Sequence, residues 1–185
     1  SYIALVEQTR PGMPNEEFLR EDAPLYIIYV TDEDDCSVAN PELLDIRRTE
    51  FGPISSRCAM NEDQLHPISR YTDAFIALKN GRENLVHVLT IAGFPIDGTW
   101  NPGDPVERLR DLRGSDTPGG GEIPASCDSS IGRAYHTPRL AELAYSFGDH
   151  GRLLSICGYE GEDIYMTIAR NIVDTFLGCV EDDPE

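Results

Sequence analysis

A run of four acidic residues, Asp32 to Asp35, directly follows an apolar stretch of strand character at residues 25–30. Carboxylates this close repel one another, since unit charges a few Å apart interact by about 1 kcal/mol even at the dielectric constant of water. A metal ion, the positive N-terminus of a helix, or water could offset that repulsion. In open α/β sheets, ligands usually bind beyond the carboxyl ends of the strands. The run therefore predicts a site at the end of this strand and leaves the compensating group open.

A strand that ends in Asp-x-Asp is also typical of haloacid-dehalogenase-like phosphotransferases. There the first aspartate attacks phosphorus, and the second acts as acid and base beside a Mg²⁺ ion. Asp32 and Asp34 have that spacing, and Lys79, the only lysine, is the one candidate for the required cation. The usual Thr or Val after the second aspartate is missing, and disulfides suit a cytosolic phosphatase badly. A Mg²⁺-dependent phosphohydrolase is therefore an alternative hypothesis.

The five cysteines, Cys36, Cys58, Cys127, Cys157 and Cys179, contain no CxxC pair and no zinc-finger spacing. This pattern argues against a structural zinc site. Cys36 and Cys58 bracket an irregular excursion that a disulfide would close, and we also pair Cys127 with Cys157. Cys179 is then unpaired or bonded to chain outside this sequence. Cysteines used in this way indicate an oxidising, extracytoplasmic compartment.

The composition limits the classes of partner. The chain of 185 residues has 15 Lys+Arg against 33 Asp+Glu, a net charge of −18. This acidity argues against nucleic acid or an anionic membrane as a partner and favours cations. No window approaches the roughly 18 consecutive apolar residues of a membrane span, so no direct membrane span is expected.

Strand-like and helix-like segments alternate along the chain. The predicted strands are 25–31, 85–91 and 153–157, and the predicted helices are 68–78, 137–148 and 164–177. The spacing excludes hairpins and fits crossovers, which predicts an α/β fold with a parallel, doubly wound (Rossmann-like) sheet flanked by helices.

Details of this pattern add further expectations. The first strand lacks polar alternation, which predicts a central strand covered on both faces. Thr137 is the expected N-cap of the second helix, before Pro138. Residues 94–134 are rich in Gly and Pro and are expected to form a long loop. We expect a single domain over residues 1–180 and a solvated acidic tail at 181–185.

Four segments together resemble part of a known family. They are residues 18–37 (FLREDAPLYIIYVTDEDDCS), the helix ISRYTDAFIALKN before the strand LVHVLTIAG, residues 124–157, and the closing helix. They are similar to the C-terminal half of a von Willebrand factor type A (VWA) domain, of the secreted or lipoprotein type found in myxobacteria and their relatives. The resemblance covers nearly the whole chain, and residues 18–37 are its most specific part.

The resemblance implies a fold and a site. In that family a doubly wound sheet carries a metal-ion-dependent adhesion site (MIDAS), where an Asp-x-Ser-x-Ser loop, a threonine and an aspartate after the fourth strand hold the metal. By resemblance Asp32 is that aspartate, with Asp34 and Asp35 as further candidates for binding Mg²⁺ or Ca²⁺. No Asp-x-Ser-x-Ser loop follows an upstream strand. The chain then corresponds to the last three strands, and a missing N-terminal half or a partner protein would complete the sheet and the site.

The main hypothesis from the sequence is a non-enzymatic, extracytoplasmic binding, adhesion or assembly module of VWA type. Its cation site would lie at the carboxyl end of strand 25–31. The alternatives are the Mg²⁺-dependent phosphohydrolase that uses Asp32 and Asp34, and a purely structural subunit of a larger assembly. An interpretation without a binding or catalytic role also stays open, in which the acidic run is a solvated loop or a set of carboxylates at a helix N-terminus.

Overall fold

The structure is a computed structural model that describes residues 1–114, 123–130 and 132–157, together with Met166, Ala169, Arg170 and Val173. Its strands are β1 (Leu25–Val30), β2 (Val86–Ala92), β3 (Ala125–Asp128), β4 (Arg133–Tyr135) and β5 (Gly151–Ser155). Its α-helices of four or more residues are α1 (Arg57–Met60), α2 (Ser69–Ala77), α3 (Val106–Arg113) and α4 (Pro138–Tyr145). A π-helical turn lies at Ile3–Glu7, and 3₁₀ turns lie at Pro41–Leu44, Thr49–Phe51, Glu62–Gln64, Glu83–Leu85 and Gly148–His150.

Three parallel strands form the main sheet, in the order β1-β2-β5. Leu25 of β1 lies opposite Val86 of β2, and Val88 of β2 lies opposite Gly151 of β5. The α/β class and the parallel sheet with flanking helices are therefore as predicted. The VWA-like and doubly wound character is a finer statement that stays a prediction.

The prediction that the first strand is central is wrong for the described part of the chain. There β1 pairs with β2 alone, whereas β2 lies between β1 and β5 and is buried along its whole length. The lack of polar residues on β1 does not reflect burial of both faces, since Ile28 is 40% exposed and Val30 is 58% exposed. β1 is thus an edge strand with an apolar outer face.

The helices α2 and α4 pack on the face of the sheet that carries Leu25 and Ile27. This core also contains Phe75 of α2 and Leu143 of α4. Because both crossovers step in the same direction along the sheet, right-handed connections place both helices on one face. That arrangement brings the start of α4 close to the carboxyl end of β1.

The stretch from 94 to 134 is not the long loop that its glycines and prolines predict. It contains α3 and the antiparallel hairpin β3–β4. Trp100 is fully buried against Phe94 and Leu109, and its indole Nε1 donates to the carbonyl oxygen of Pro105 at 3.2 Å. A second core therefore anchors this segment against α4.

Two disulfides link distant segments, Cys36 to Cys58 and Cys127 to Cys157, which are the two predicted pairs. The first closes the excursion after β1. Arg57 organises that excursion, since it is 3% exposed and donates to the carbonyl oxygens of Gly52, Leu43 and Asp45.

Other predictions lie outside the described residues. Of the predicted helix at 164–177, Met166, Ala169, Arg170 and Val173 are described and helical. Cys179 and the tail at 181–185 lie beyond them. Among the described helices, none has both the length and the apolar character that a bilayer crossing requires.

Candidate functional site

The hairpin β3–β4 lies against the carboxyl ends of all three sheet strands. The backbone N–H of Tyr135 donates to the carbonyl oxygen of Asp32, just after β1, at 2.9 Å. Gly93, just after β2, contacts Tyr135 so closely that a Cβ there would lie 1.9 Å from the Tyr135 carbonyl oxygen. The disulfide between Cys127 and Cys157 joins the hairpin to the chain just after β5. Backbone therefore occupies much of the crevice in which such sheets usually bind ligands.

Asp34 caps helix α4. Its Oδ2 accepts from the backbone N–H of Arg139, and its Oδ1 accepts from the N–H of Leu140, both at 3.3 Å. A helix N-terminus has unpaired N–H groups and a partial positive charge, which suit a carboxylate. The expected cap, Thr137, makes no capping bond, and its hydroxyl is buried without a hydrogen-bond partner among the described residues. The cap comes from the loop after β1 instead.

Arg113 of α3 neutralises Asp34 from a second direction. Its guanidinium is 3% exposed and lies 3.1 Å from Asp34 Oδ2. It also donates to Glu62 and to the carbonyl oxygen of Ala59. Glu62 is shared with Arg110, whose Nε donates to Glu62 Oε2 at 3.1 Å.

Asp35 pairs with a different guanidinium. Arg139, 5% exposed, donates from Nε and Nη2 to Asp35 Oδ2, at 3.1 and 2.9 Å. Arg139 also donates to the carbonyl oxygen of His66 at 2.7 Å. The hydroxyl of Ser37 donates to the other carboxylate oxygen of Asp35. The repulsion within the acidic run is thus offset by two buried arginines and a helix N-terminus.

The pKa values follow from these surroundings. Burial raises the pKa of Asp34 to about 6, against the lowering effect of Arg113 and of the backbone N–H groups. Burial and the neighbouring Asp32 raise the pKa of Glu33. The side chains of Asp32 and Glu33 are exposed. Two carboxylates of the run are therefore built into the fold, and two remain open to an external cation.

The donor set does not by itself fit the implied metal. Asp34 and Asp35 already accept from arginines and N–H groups, and Mg²⁺ or Ca²⁺ takes six or more oxygen ligands. Among the residues that the structure describes, no group of three or more His, Cys, Asp or Glu side chains converges as a metal site would require. A cation at Asp32 would need ligands from elsewhere.

The structure does not bring Lys79 to the acidic run. Its Nζ donates to the carbonyl oxygen of Arg20 at 2.7 Å. Arg20 precedes β1, so Lys79 lies at the opposite end of the sheet from Asp32. The phosphohydrolase hypothesis therefore lacks its proposed lysine at the strand end.

The arginines that bind the acidic run were not among the residues predicted from the sequence. Arg110 and Arg113 are three residues apart on α3, and Arg139 is in the first turn of α4. Paired arginines at helical spacing in a chain with 33 acidic residues are a usable signal for such ion pairs.

A cleft of about 530 Å³ opens beside this loop, on the β1 side of the sheet. The N-terminal segment, the loop after β1 and the start of α2 form its walls. Its lining includes the aromatic side chains of Tyr2, Tyr29 and Tyr71 and the carboxylates of Glu7 and Glu33. Of the two exposed carboxylates of the run, Glu33 lines this cleft.

Fold and site together define an α/β protein with a three-stranded parallel sheet, compatible with a Rossmann-like class, in which arginines fill the acidic strand end. Comparison with known proteins finds no matching family model, curated protein or solved structure.

Replacing Asp34 with asparagine is expected to change how stability depends on pH. The folded-state pKa of Asp34, about 6, lies above the ordinary aspartate value of 3.8, so the folded protein binds more protons between these pH values. The contribution of Asp34 to wild-type stability therefore falls as pH rises through this window, by an amount on the order of 2–3 kcal/mol. The Asp34→Asn variant lacks this dependence. Its free energy of unfolding relative to that of wild type is therefore higher at pH 7 than at pH 4.

Urea unfolding of both proteins across this range measures the effect, because groups common to both cancel in the difference. Asp32→Asn, at the exposed neighbouring position, controls for the loss of one negative charge. A difference between Asp34→Asn and wild type that is constant with pH would contradict the burial argument.

Proposed function

We propose that this chain is a non-enzymatic binding or assembly module, acting outside the cytoplasm, that receives a protein strand at the open edge of β1. The observation that carries the proposal is the edge itself. Within the described residues β1 has a neighbour on one side alone, and its outer-face residues Ile28 and Val30 are 40% and 58% exposed. Proteins usually protect such edges with charges, proline or a covering element.

The direction of the backbone groups supports strand addition. The N–H of Thr31 donates to the carbonyl oxygen of Ile91 at 3.1 Å, so Thr31 points toward β2. Backbone groups alternate in direction along a strand. The backbone N–H and C=O groups of Ile27 and Tyr29 therefore point toward β2 as well, whereas those of Ile28 and Val30 point toward the open edge. An added strand would pair with these backbone groups, and its own side chains would pack beside Ile28 and Val30 on the outer face of the sheet.

The two disulfides support a location outside the cytoplasm, since such bonds persist in oxidising compartments. The added strand could come from another part of the same polypeptide or from a separate chain. The VWA assignment belongs to this proposal, with the exposed Asp32 as the candidate ligand for Mg²⁺ or Ca²⁺. In that case the incoming segment supplies the remaining oxygen ligands.

The competing phosphohydrolase is less well supported. Its second aspartate, Asp34, caps α4 and pairs with Arg113, and Lys79 lies at the other end of the sheet. A general acid must reach the substrate through a hydrogen bond or one water molecule. Phosphate-ester turnover that disappears in Asp32→Asn would favour this alternative over the binding module.

Hydrogen exchange tests the open edge directly. In the isolated chain, we expect the amides of Ile28 and Val30 to exchange about 100-fold faster than those of Ile27 and Tyr29, which are bonded to β2. In the native assembly the amides of Ile28 and Val30 should become as protected from exchange as those of Ile27 and Tyr29. Amides of Ile28 and Val30 that stay unprotected in the native assembly would contradict the proposal.

A substitution pair gives the second test. Val30→Lys places a charge on the open edge and is expected to weaken assembly at least about tenfold, since edge lysines oppose strand pairing. Ile46→Lys makes the same change at a residue that is 75% exposed in the excursion, and should leave assembly unchanged. Equal effects of the two substitutions, measured by sedimentation of the assembly, would indicate a charge effect without strand addition.

A further inference from the structure

The cleft beside β1 has the size of a small-molecule site. Its volume is about 530 Å³, within the range of roughly 300–1,000 Å³ that is usual for ligand pockets. The hairpin covers the neighbouring strand ends, whereas this cleft opens on the β1 side. A ligand that approaches Glu33 would therefore enter here.

Tyrosine rings form its apolar surface. Tyr2 and Tyr71 meet edge to face, with ring centroids 6.0 Å apart. The Tyr29 hydroxyl donates to the Ser1 hydroxyl at 2.7 Å, and burial raises the pKa of Tyr29 to about 12. All three residues line the cleft. Neutral phenol rings present electron-rich faces that attract cations.

The protein already places one cation on this wall. The guanidinium carbon of Arg70 lies 4.0 Å from the ring centroid of Tyr2. Cation–π contacts are favourable when the charge lies within about 6 Å of the ring centroid. Arg70 is thus an internal example of the chemistry that these rings select.

Two carboxylates supply negative charge to the cleft, whose lining also includes the guanidinium of Arg70. Glu7 and Glu33 line it, and neither carboxylate has an ion-pair or hydrogen-bond partner among the described residues. Asp34 and Asp35 also line it, but arginines neutralise them from behind. A net charge of −18 adds a long-range field that attracts cations and repels phosphates.

We propose that this cleft binds an organic cation, a guanidinium or alkylammonium group on an apolar body, with the charge beside Glu33 and the body against the tyrosines. Ile28 and Val30, which carry the open edge, do not line this cleft, and the proposal does not depend on strand addition. The same chemistry occurs in a free small molecule and in a basic side chain of a peptide.

Calorimetric titration of the full chain with three matched probes tests the charge requirement. Butylguanidinium and butylammonium are cations, and butylurea is the neutral isostere of the first. We expect the cations to bind at least about tenfold more tightly than butylurea, and added salt to weaken them. Equal binding of butylurea, or no binding of either cation at 10 mM, would overturn the proposal.

Variants of the lining residues locate the binding. Glu33→Gln should weaken butylguanidinium binding about five- to tenfold. Glu83→Gln removes the same charge at an exposed position near the amino end of β2 and should have little effect. Equal losses in these two variants would show a general field effect and overturn the site.

Two further variants act on the rings. Arg70→Gln should tighten butylguanidinium binding about threefold, because it removes the competing internal cation from Tyr2. Tyr29→Leu should weaken it about tenfold, whereas Tyr29→Phe, which keeps the ring, should bind as wild type does. Tighter binding in Arg70→Gln cannot result from misfolding, so the proposal stays testable if Tyr29→Leu unfolds. Weaker binding in Arg70→Gln would contradict the aromatic contact.

A blocked arginine, acetyl-arginine amide, distinguishes the two sources. If it binds more tightly than butylguanidinium, the cleft accepts a basic side chain within a peptide. If it binds more weakly, the cleft takes free organic cations. Either result supports the cation chemistry and assigns its source.

Discussion

Replacing Arg113 with methionine is expected to lower the free energy of unfolding by about 3–5 kcal/mol, since removing one partner of a buried ion pair leaves the other uncompensated. The Arg113 guanidinium is 3% exposed and contacts both Asp34 and Glu62, which are 13% and 23% exposed. Methionine fills a similar length of space, so the loss reports mainly the charge. Urea unfolding at pH 7 measures it.

The matched control lies on the same helix. Arg108 pairs with Asp104 at 3.4 Å, but its side chain is 53% exposed. Arg108→Met should cost no more than about 1 kcal/mol, because exposed ion pairs contribute little. Similar losses at the two positions would show that helix α3 tolerates no methionine, and would remove the argument from buried charge.

A double variant separates the carboxylates from the arginine. In Arg113→Met combined with Asp34→Asn, the buried carboxylate that lost its partner is neutral. We expect this pair to recover a third or more of the lost stability, since the two sites share one interaction. Strictly additive losses would mean that Arg113 stabilises the fold through Glu62 and Ala59 instead.

Gly93→Ala is expected to cost about 3 kcal/mol or more, at the upper end of overpacking substitutions. An added Cβ would lie 1.9 Å from the carbonyl oxygen of Tyr135, 2.8 Å from its carbonyl carbon and 3.0 Å from its nitrogen. All three are backbone atoms of β4, so the clash cannot be relieved by a side-chain rotation. The hairpin would have to move away from the sheet.

Gly132→Ala is the control for this prediction. It adds the same methyl group at the start of the same hairpin strand, where no heavy atom lies within 4 Å. We expect it to be neutral or slightly stabilising, as alanine restricts the unfolded chain. Thermal unfolding of both variants measures the contrast. A small loss of stability in Gly93→Ala would mean that the hairpin is loosely packed against the sheet and that the strand ends are open to ligands.

The sheet and the disulfide between Cys36 and Cys58 could be predicted from local patterns. Apolar runs at β1, β2 and β5, each separated by an amphipathic segment, are sufficient to indicate parallel strands with crossovers. Cys36 and Cys58 flank one irregular segment, so their pairing follows from chain geometry. These features depend on periodicity and position, which a sequence displays directly.

Features that depend on distant partners could not be predicted. The sequence VERLRDLR of α3 has few apolar residues, and its buried positions are occupied by Arg113 together with Val106 and Leu109. Nothing local to Asp34 indicates that its partners are in α3 and α4. The apolar sequence of β1 indicated an edge that further chain or a partner would cover, but it did not indicate that Ile28 and Val30 are exposed on the outer face of the sheet.

The acidic run and its arginines lie far apart along the sequence, and this distance affects the order in which the contacts form. Asp34 and Arg113 are 79 residues apart, and Asp35 and Arg139 are 104 residues apart. Until the intervening chain closes these long loops, only water and salt offset the repulsion within the acidic run. Contacts at such separation form late, because a long loop must close first. The ion pairs thus form late in folding, and they fix the loop after β1 once helix α4 has formed.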